Sequence, residues 1–244
     1  MPSNNSLEII DTALILAGGF GTRLRSAVSD VPKPMAPIDG KPFLEYQIQY
    51  WMGQGIRRFV LSVGYMHEVI ESYFGCSWGG ASIEYVVEKE PLGTGGAMLL
   101  AAQEIEPDKR FLLLNGDTYF PIDLSLLSQF SVKVDSDWSL SLFKTDDINR
   151  YMGVALDQDD QITSFKDLKI HGQIFANGGV YLVHPRTLNE LRPKFSGGSS
   201  LESDIFPAAL SAKQRIYGLR SDAKFIDIGI PYDYQRASIF LEKR

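Results

Sequence analysis

A chain of 244 residues with 44% hydrophobic content is long enough to bury a sizeable core, as one large α/β domain or two small ones. Its formal charge of −6 argues against a nucleic-acid-binding surface and against electrostatic attachment to acidic lipid, so any phosphate it binds is handled locally. The single cysteine, Cys76, excludes an intramolecular disulfide, no apolar run approaches the roughly 20 residues that span a bilayer, and Met1 to Asn5 lacks the regions of a signal peptide; a cytoplasmic protein is expected.

Thr12 to Leu16 reads as a buried strand, followed at once by Gly18, Gly19 and Gly21, which free the backbone to turn sharply and approach a ligand closely. Arg23 then supplies a planar, permanently charged fork, and Lys33 stands between Pro32 and Pro34, which stiffen its backbone. Two cations on one ordered loop suit a polyphosphate. Two common phosphate motifs fail here. The Gly-x-Gly-x-x-Gly frame from Gly19 ends in Leu24, and Ser26 to Pro37 is too proline-broken to be the helix it needs; a P-loop needs its lysine beside the glycines, and Lys33 is far from them. A strand-to-loop turn without a ligand stays open.

Pro42 to Met52 carries apolar positions at near-helical spacing, with Gly53 and Gly55 at its end. Arg58 to Val63 reads as a strand, Met66 to Phe74 as a short helix and Ala81 to Val87 as a further strand. This βαβαβ alternation predicts a largely parallel, doubly wound sheet whose ligands collect at the carboxyl ends of its strands. A second glycine-rich turn, Glu88 to Ala97, precedes a helix over Ala97 to Glu104. Phe111 to Leu114 is the continuous apolar run of a strand buried on both faces, and it delivers Asn115-Gly116-Asp117-Thr118 to its end. Mg²⁺ is usually held by one or two carboxylates plus phosphate oxygens and water, and Asp117 at a strand end beside a phosphate loop meets that need. A plain Asn-Gly-Asp turn is the other reading.

In the second half, strands are expected over Asp137 to Phe143 and Phe175 to Val183, with a hairpin of Gly153 to Leu156 and Gln161 to Phe165 between them. Helical patterns follow at Pro185 to Leu191 and Leu201 to Leu210, then a strand from Arg215 to Leu219. Asp227 interrupts the apolar run Phe225 to Ile230, and a buried unpaired carboxylate is costly, so it requires a cation or hydrogen-bond donors nearby. Capping the final helix, Tyr232 to Glu242, is its alternative role. No Pro/Gly/Ser-rich linker divides the chain, and residues 1–244 are read as one domain.

The run Leu16-Ala17-Gly18-Gly19-Phe20-Gly21-Thr22-Arg23-Leu24, followed by Lys33-Pro34-Met35-Ala36-Pro37-Ile38 and Lys41-Pro42, resembles the sugar-phosphate nucleotidyltransferases, and the resemblance extends in order to Asp227. It implies a Rossmann-like doubly wound α/β fold with a mixed sheet, a nucleotide-binding part over about residues 10–135 and a sugar-phosphate-binding part over about 136–244. The substrates it implies are a nucleoside triphosphate and a sugar 1-phosphate, with Mg²⁺ as cofactor; a homo-oligomer is left open.

The same resemblance assigns catalytic charge neutralisation to Arg23 and Lys33, nucleotide contacts to Leu16, Ala17, Gly18, Gly19, Gly21, Thr22, Glu88, Gly93 and Asp117, and the metal to Asp117 and Asp227. Sugar-phosphate contacts fall to Gly153, Asp167, Lys169 and Asn177. A carboxylate at Glu88 accepts from guanine's ring N–H and exocyclic amine, a donor pair that uracil and thymine lack, so the likeness leans to GTP and to the members acting on a heptose or mannose 1-phosphate. The chain departs from the family in Lys166-Asp167-Leu168-Lys169, where Leu168 occupies the position of the phosphate-holding lysine; the role passes to Lys169 by a one-residue slip or to Lys166 by strand parity. Two other readings remain open: a catalytically silent regulatory subunit of the same fold, and a glycosyltransferase using Asp135-Ser136-Asp137.

Overall fold

The computed structural model describes residues 8–147, 150–151, 153–165, 174–195 and 197–241. In chain order these form β1 (Thr12–Leu16), a two-strand hairpin of β2 (Pro37–Ile38) and β3 (Lys41–Pro42), α1 (Phe43–Gly53), β4 (Arg58–Val63), α2 (His67–Phe74), β5 (Ser77–Trp78), β6 (Ala81–Val87) and α3 (Gly93–Ala101). Then follow β7 (Phe111–Asn115), β8 (Thr118–Tyr119), α4 (Leu124–Lys133), β9 (Trp138–Thr145), β10 (Val154–Leu156), β11 (Ile162–Phe165), β12 (Ile174–Val183), α5 (Phe206–Ser211), β13 (Ile216–Ser221), β14 (Ile226–Asp227) and α6 (Pro231–Leu241).

Eight strands make one sheet in the order β13-β9-β12-β7-β1-β4-β6-β5. Strands β7, β1, β4 and β6 are mutually parallel, β12 runs antiparallel between β7 and β9, and β9 pairs in parallel with β13. The central strands read as unbroken apolar runs because both faces are covered. In β7, Leu112 and Leu114 pack with Ile48, Phe59 and Phe74 on one side, while Phe111 and Leu113 pack with Met98, Trp138 and Phe206 on the other. This is the Rossmann-like mixed α/β sheet the sequence predicts, with the carboxyl ends of β1, β4, β6 and β7 on one edge.

Four elements depart from expectation. Helix α3 starts at Gly93 and ends at Ala101, so the second glycine-rich turn is largely the helix's own first turn. Ser199 explains this: its carbonyl accepts from the N–H groups of Gly95 (2.8 Å) and Gly96 (3.3 Å), capping a start whose glycines have poor helix propensity. A methyl group on Gly95 would stand 2.6 Å from Ile205, so the packing also excludes better helix formers. Helix α4 was not anticipated; Asp123 caps it through Ser125 N–H (2.8 Å) and Leu126 N–H (3.2 Å), but its serine-rich sequence gives a weak apolar stripe. The pattern over Leu201 to Leu210 divides into a π turn, Leu201–Ile205, and α5, since Pro207 has no N–H to bond the Ser203 carbonyl. Likewise, Pro185–Glu190 is a 3₁₀ stretch. Among the described residues, no helix is long and apolar enough to cross a membrane.

Candidate active site

A cavity of about 610 Å³ opens at the carboxyl ends of the parallel strands. Its first wall is the glycine loop. Ala17 N–H donates to the Ser62 carbonyl of β4 (2.7 Å) and Leu16 accepts from Gly116 N–H after β7 (2.9 Å), so the loop leaves β1 clamped on both sides. A side chain on Gly18 would run into the Glu88 carboxylate and have to displace it, and Gly21 has φ +57° with Lys33 Cβ 2.8 Å from where its own Cβ would stand. Leu16, Ala17, Gly18, Gly19 and Arg23 line the cavity; Gly21 and the exposed Thr22 shape the loop outside that wall. Arg23 is exposed at the rim, with no ion-pair partner among the described residues.

The second wall is a charged cluster assembled over long distances in the chain. β7 brings Asp117 just past its end; the two-residue ladder of β8 with β14 places Asp227 opposite Thr118, and Ile228 N–H donates to the Asp117 carbonyl (3.0 Å). Lys33, on a 3₁₀ turn begun by Pro32, inserts its ammonium 2.5 Å from Asp117 Oδ2 and 3.8 Å from Asp227 Oδ1, with only 10% of the side chain exposed. Burial raises the pKa of Asp227 above the ordinary carboxylate range and the Asp117 charge adds to this, against the opposing effects of Lys33, Gly229 N–H and Arg150. The Asp227 carboxylate accepts from Gly229 N–H (2.6 Å) before α6 begins, so it turns the chain toward the cavity and does not cap the last helix.

Sequence reasoning missed Arg150, Tyr151, Phe225 and Glu202, all of which line the cavity. Arg150 Nη2 lies 3.7 Å from Asp227 Oδ2, Nη1 pairs with Asp233, and the guanidinium sits 4.9 Å over the Tyr151 ring. Phe225 stacks on Phe143 at 4.0 Å and meets Tyr151 edge-on at 5.7 Å. The apolar run beginning at Phe225 was a visible signal for Phe225; nothing local marks Arg150.

At the opposite end, Glu88 and Gly93 both line the cavity. Ser62 hydroxyl (3.2 Å) and Leu92 N–H (3.1 Å) donate to the Glu88 carboxylate, while burial, the dominant influence, raises its pKa. Asn177 also reaches the wall, but its Oδ1 accepts from Gly179 N–H (3.0 Å) and its Nδ2 donates to Tyr181 Oη (2.7 Å), holding the register shift of β12 against β9. Gly153 is buried in a bridge to Ala176 and is not part of the cavity wall. Lys166, Asp167 and Lys169 lie outside the described residues.

The sequence pattern of the Nucleotidyl transferase family matches residues 12–244. The chain belongs to that family. The nucleotidyl transferase is 43% identical over 227 residues to a D-glycero-alpha-D-manno-heptose 1-phosphate guanylyltransferase of Aneurinibacillus thermoaerophilus, covering 92% of this chain and 96% of that protein. To the guanylyltransferase of the same description from Campylobacter jejuni it is 42% identical over 224 residues, 91% of this chain and 96% of the other. Its fold matches the crystal structure of HddC from Yersinia pseudotuberculosis, also solved with GMP-PN, at a TM-score of 0.80 and 34% identity, over 94% of this chain and 99% of HddC.

Members of this family generally use a divalent metal. The acid pair of this nucleotidyl transferase fits one: the two carboxylates already share a cation, the Lys33 ammonium, at a point open to the cavity. Among the described residues no group of three or more His, Cys, Asp or Glu could hold a metal alone, so two carboxylates would need substrate oxygens to complete the shell, the mode Mg²⁺ favours. The Asp-x-Asp alternative does not survive. Asp135 and Asp137 pair with Arg215 before β9, at the sheet edge away from the cavity.

Proposed function

We propose that this chain transfers a guanylyl group from GTP to D-glycero-D-manno-heptose 1-phosphate, giving a GDP-heptose and pyrophosphate. A phosphate oxygen of the sugar 1-phosphate attacks the α-phosphorus in line, the bond from that phosphorus to the bridging oxygen of the β-phosphate breaks, and pyrophosphate leaves. No covalent enzyme intermediate is required, so the protein's contribution is position and charge. The observation that carries this reading is the convergence of Lys33, Asp117 and Asp227 beside the glycine loop, in a family member whose relatives of 42–43% identity are heptose 1-phosphate guanylyltransferases.

The backbone from Leu16 to Gly19, shaped by Gly21 and Thr22, cradles the triphosphate, with Arg23 at the rim and Lys33 inside neutralising its charge. Glu88, held by Ser62 and Leu92 N–H, accepts from the guanine N1–H and N2 amine beside Gly93. Asp117 and Asp227 would hold Mg²⁺, which when bound supplies charge neutralisation at the reacting phosphates. Residues of about 10–135 serve the nucleotide and those of about 136–244 the acceptor, where Gly153 and Asn177 fix the strand backbone and Asp167 and Lys169 add contacts. The products belong to nucleotide-sugar biosynthesis in the cytoplasm. A silent regulatory subunit would have no need of Arg23, Lys33, Asp117 and Asp227 together.

The test is pyrophosphate release from GTP, UTP, dTTP and ATP, each with D-glycero-D-manno-heptose 1-phosphate and with mannose 1-phosphate. GTP with the heptose phosphate should give the highest kcat/KM. A preference for mannose 1-phosphate moves the acceptor, a preference for UTP or dTTP removes the guanylyl assignment, and no release from any pair restores the silent subunit.

A further inference from the structure

One cation on the cavity wall has no part in binding the triphosphate. Among the described residues that line it, the cations are Arg23, Lys33 and Arg150. The first two come from the loops after β1, where the triphosphate is cradled. Transfer brings a second phosphate group to the same point from the opposite side of the α-phosphorus, since attack is in line with the departing pyrophosphate. Two phosphate groups at contact repel strongly unless each has its own counter-charge.

Arg150 is the third cation on that wall, beside Asp227. It comes from the segment between β9 and β10, in the other half of the chain from Lys33. Asp227 separates the two: Lys33 approaches Oδ1 and Arg150 approaches Oδ2. The guanidinium is already oriented, with Nη1 paired to the buried Asp233 and one face over the Tyr151 ring. Its Nη2 is weakly engaged, 3.7 Å from the Asp227 carboxylate and 3.5 Å from the Asp227 carbonyl. Both contacts are well beyond the roughly 2.7–2.9 Å of a strong charge-assisted hydrogen bond, so a phosphate oxygen can take Nη2 at short range without breaking the pair that orients the fork. An arginine suits this task better than a lysine, because a planar group braced at one nitrogen still presents another in a fixed direction.

We propose that Arg150 holds the phosphate of the sugar 1-phosphate, opposite the triphosphate held by Arg23 and Lys33, and so takes the role that the family's lysine leaves open where Leu168 stands. This deepens the nucleotidyl-transfer reading and rests on it. Asp233, on the first turn of α6, is then a positioning residue that aims Arg150.

The test is steady-state kinetics of Arg150→Met, Arg150→Lys and Lys169→Ala with each substrate varied in turn, joined to calorimetric binding of the sugar 1-phosphate to enzyme loaded with a non-reacting GTP analogue. Arg150→Met should raise KM for the sugar 1-phosphate about 10- to 100-fold, the scale of a lost charged hydrogen bond, leave KM for GTP within about threefold, and weaken calorimetric binding by the same factor. Arg150→Lys keeps a charge next to Asp233 and should recover part of the loss, which separates the role from a folding defect; circular dichroism checks the fold of both. An equal rise in KM for GTP, or a changed metal requirement with normal binding of the sugar 1-phosphate, would assign Arg150 to bracing Asp227 and overturn the proposal. So would a normal KM in Arg150→Met with the rise appearing in Lys169→Ala. Wild-type enzyme that binds the sugar 1-phosphate through Arg150 but releases no pyrophosphate would sink the transfer reaction and leave the binding role standing.

Discussion

The glycine loop and the acid-cation cluster face each other across one cavity, yet they are built by different means. The loop is nine consecutive residues, Leu16 to Leu24, held by backbone hydrogen bonds to β4 and by Gly116, and it offers mostly main chain. The cluster draws Lys33, Asp117, Arg150 and Asp227 from separate segments and offers side-chain charge, set by the β8–β14 ladder and the stacked rings of Phe143 and Phe225. A backbone cradle depends on what is absent, a side chain at each glycine, and a charged wall depends on groups whose repulsion must be offset. The second arrangement carries an electrostatic cost, since burial and the nearby Asp117 charge both oppose ionisation of Asp227.

That contrast makes charge removal from the wall the largest expected effect. Asp117→Asn and Asp227→Asn should each lower kcat by at least about 100-fold, and EDTA should reproduce the loss with wild-type enzyme. For Asp227 the fold should not suffer. Its pKa is raised in the folded state, so its stabilising contribution is held at low pH and lost as pH rises through the raised value; at neutral pH Asp227→Asn should melt at or above the wild-type temperature. Near-normal turnover in either folded variant would remove that residue from the metal site and dissolve the distinction between the two regions.

Glu88 is the side chain that packs against the glycine loop at Gly18, and its effect should be intermediate. Glu88→Gln should lower kcat/KM for GTP about 10-fold or more while leaving UTP nearly unchanged, because the amide's NH₂ opposes a guanine donor. Since burial raises the Glu88 pKa, wild-type KM for GTP should climb as pH falls toward the carboxylate range, starting above the pH at which an ordinary glutamate protonates. The glutamine variant should lack that slope. A parallel loss with GTP and UTP would make Glu88 a support for the loop at Gly18.

The smallest effect should come from the cradle's open glycine. A methyl group on Gly19 meets nothing within 4 Å, so Gly19→Ala should melt like wild type. If the triphosphate lies against this backbone, the methyl group should nonetheless raise KM for GTP, about fivefold or more on the scale of overpacking a close contact. Wild-type KM would place the triphosphate elsewhere and leave that wall to the charged cluster.

The sequence by itself determined what local pattern encodes. Thr12–Leu16 and Arg58–Val63 were legible to the residue as strands, because burial on both faces demands an unbroken or nearly unbroken apolar run, and Ala81–Val87 was legible from its β-branched and aromatic residues although that strand is only partly buried. The glycine loop and Asp117 followed, as each adjoins such a strand and must emerge at its carboxyl end. Tertiary structure alone decided which distant groups meet. Asp227 reaches Asp117 through a ladder of two residues per strand, Arg150 reaches Asp227 from a loop with no pattern of its own, and the glycine-rich start of α3 at Gly93 is capped by the distant Ser199 carbonyl. The physical reason is the range of the signal: hydrophobic periodicity is set by a residue's own neighbours, whereas the meeting of charges depends on strand register and loop path fixed when the whole sheet packs.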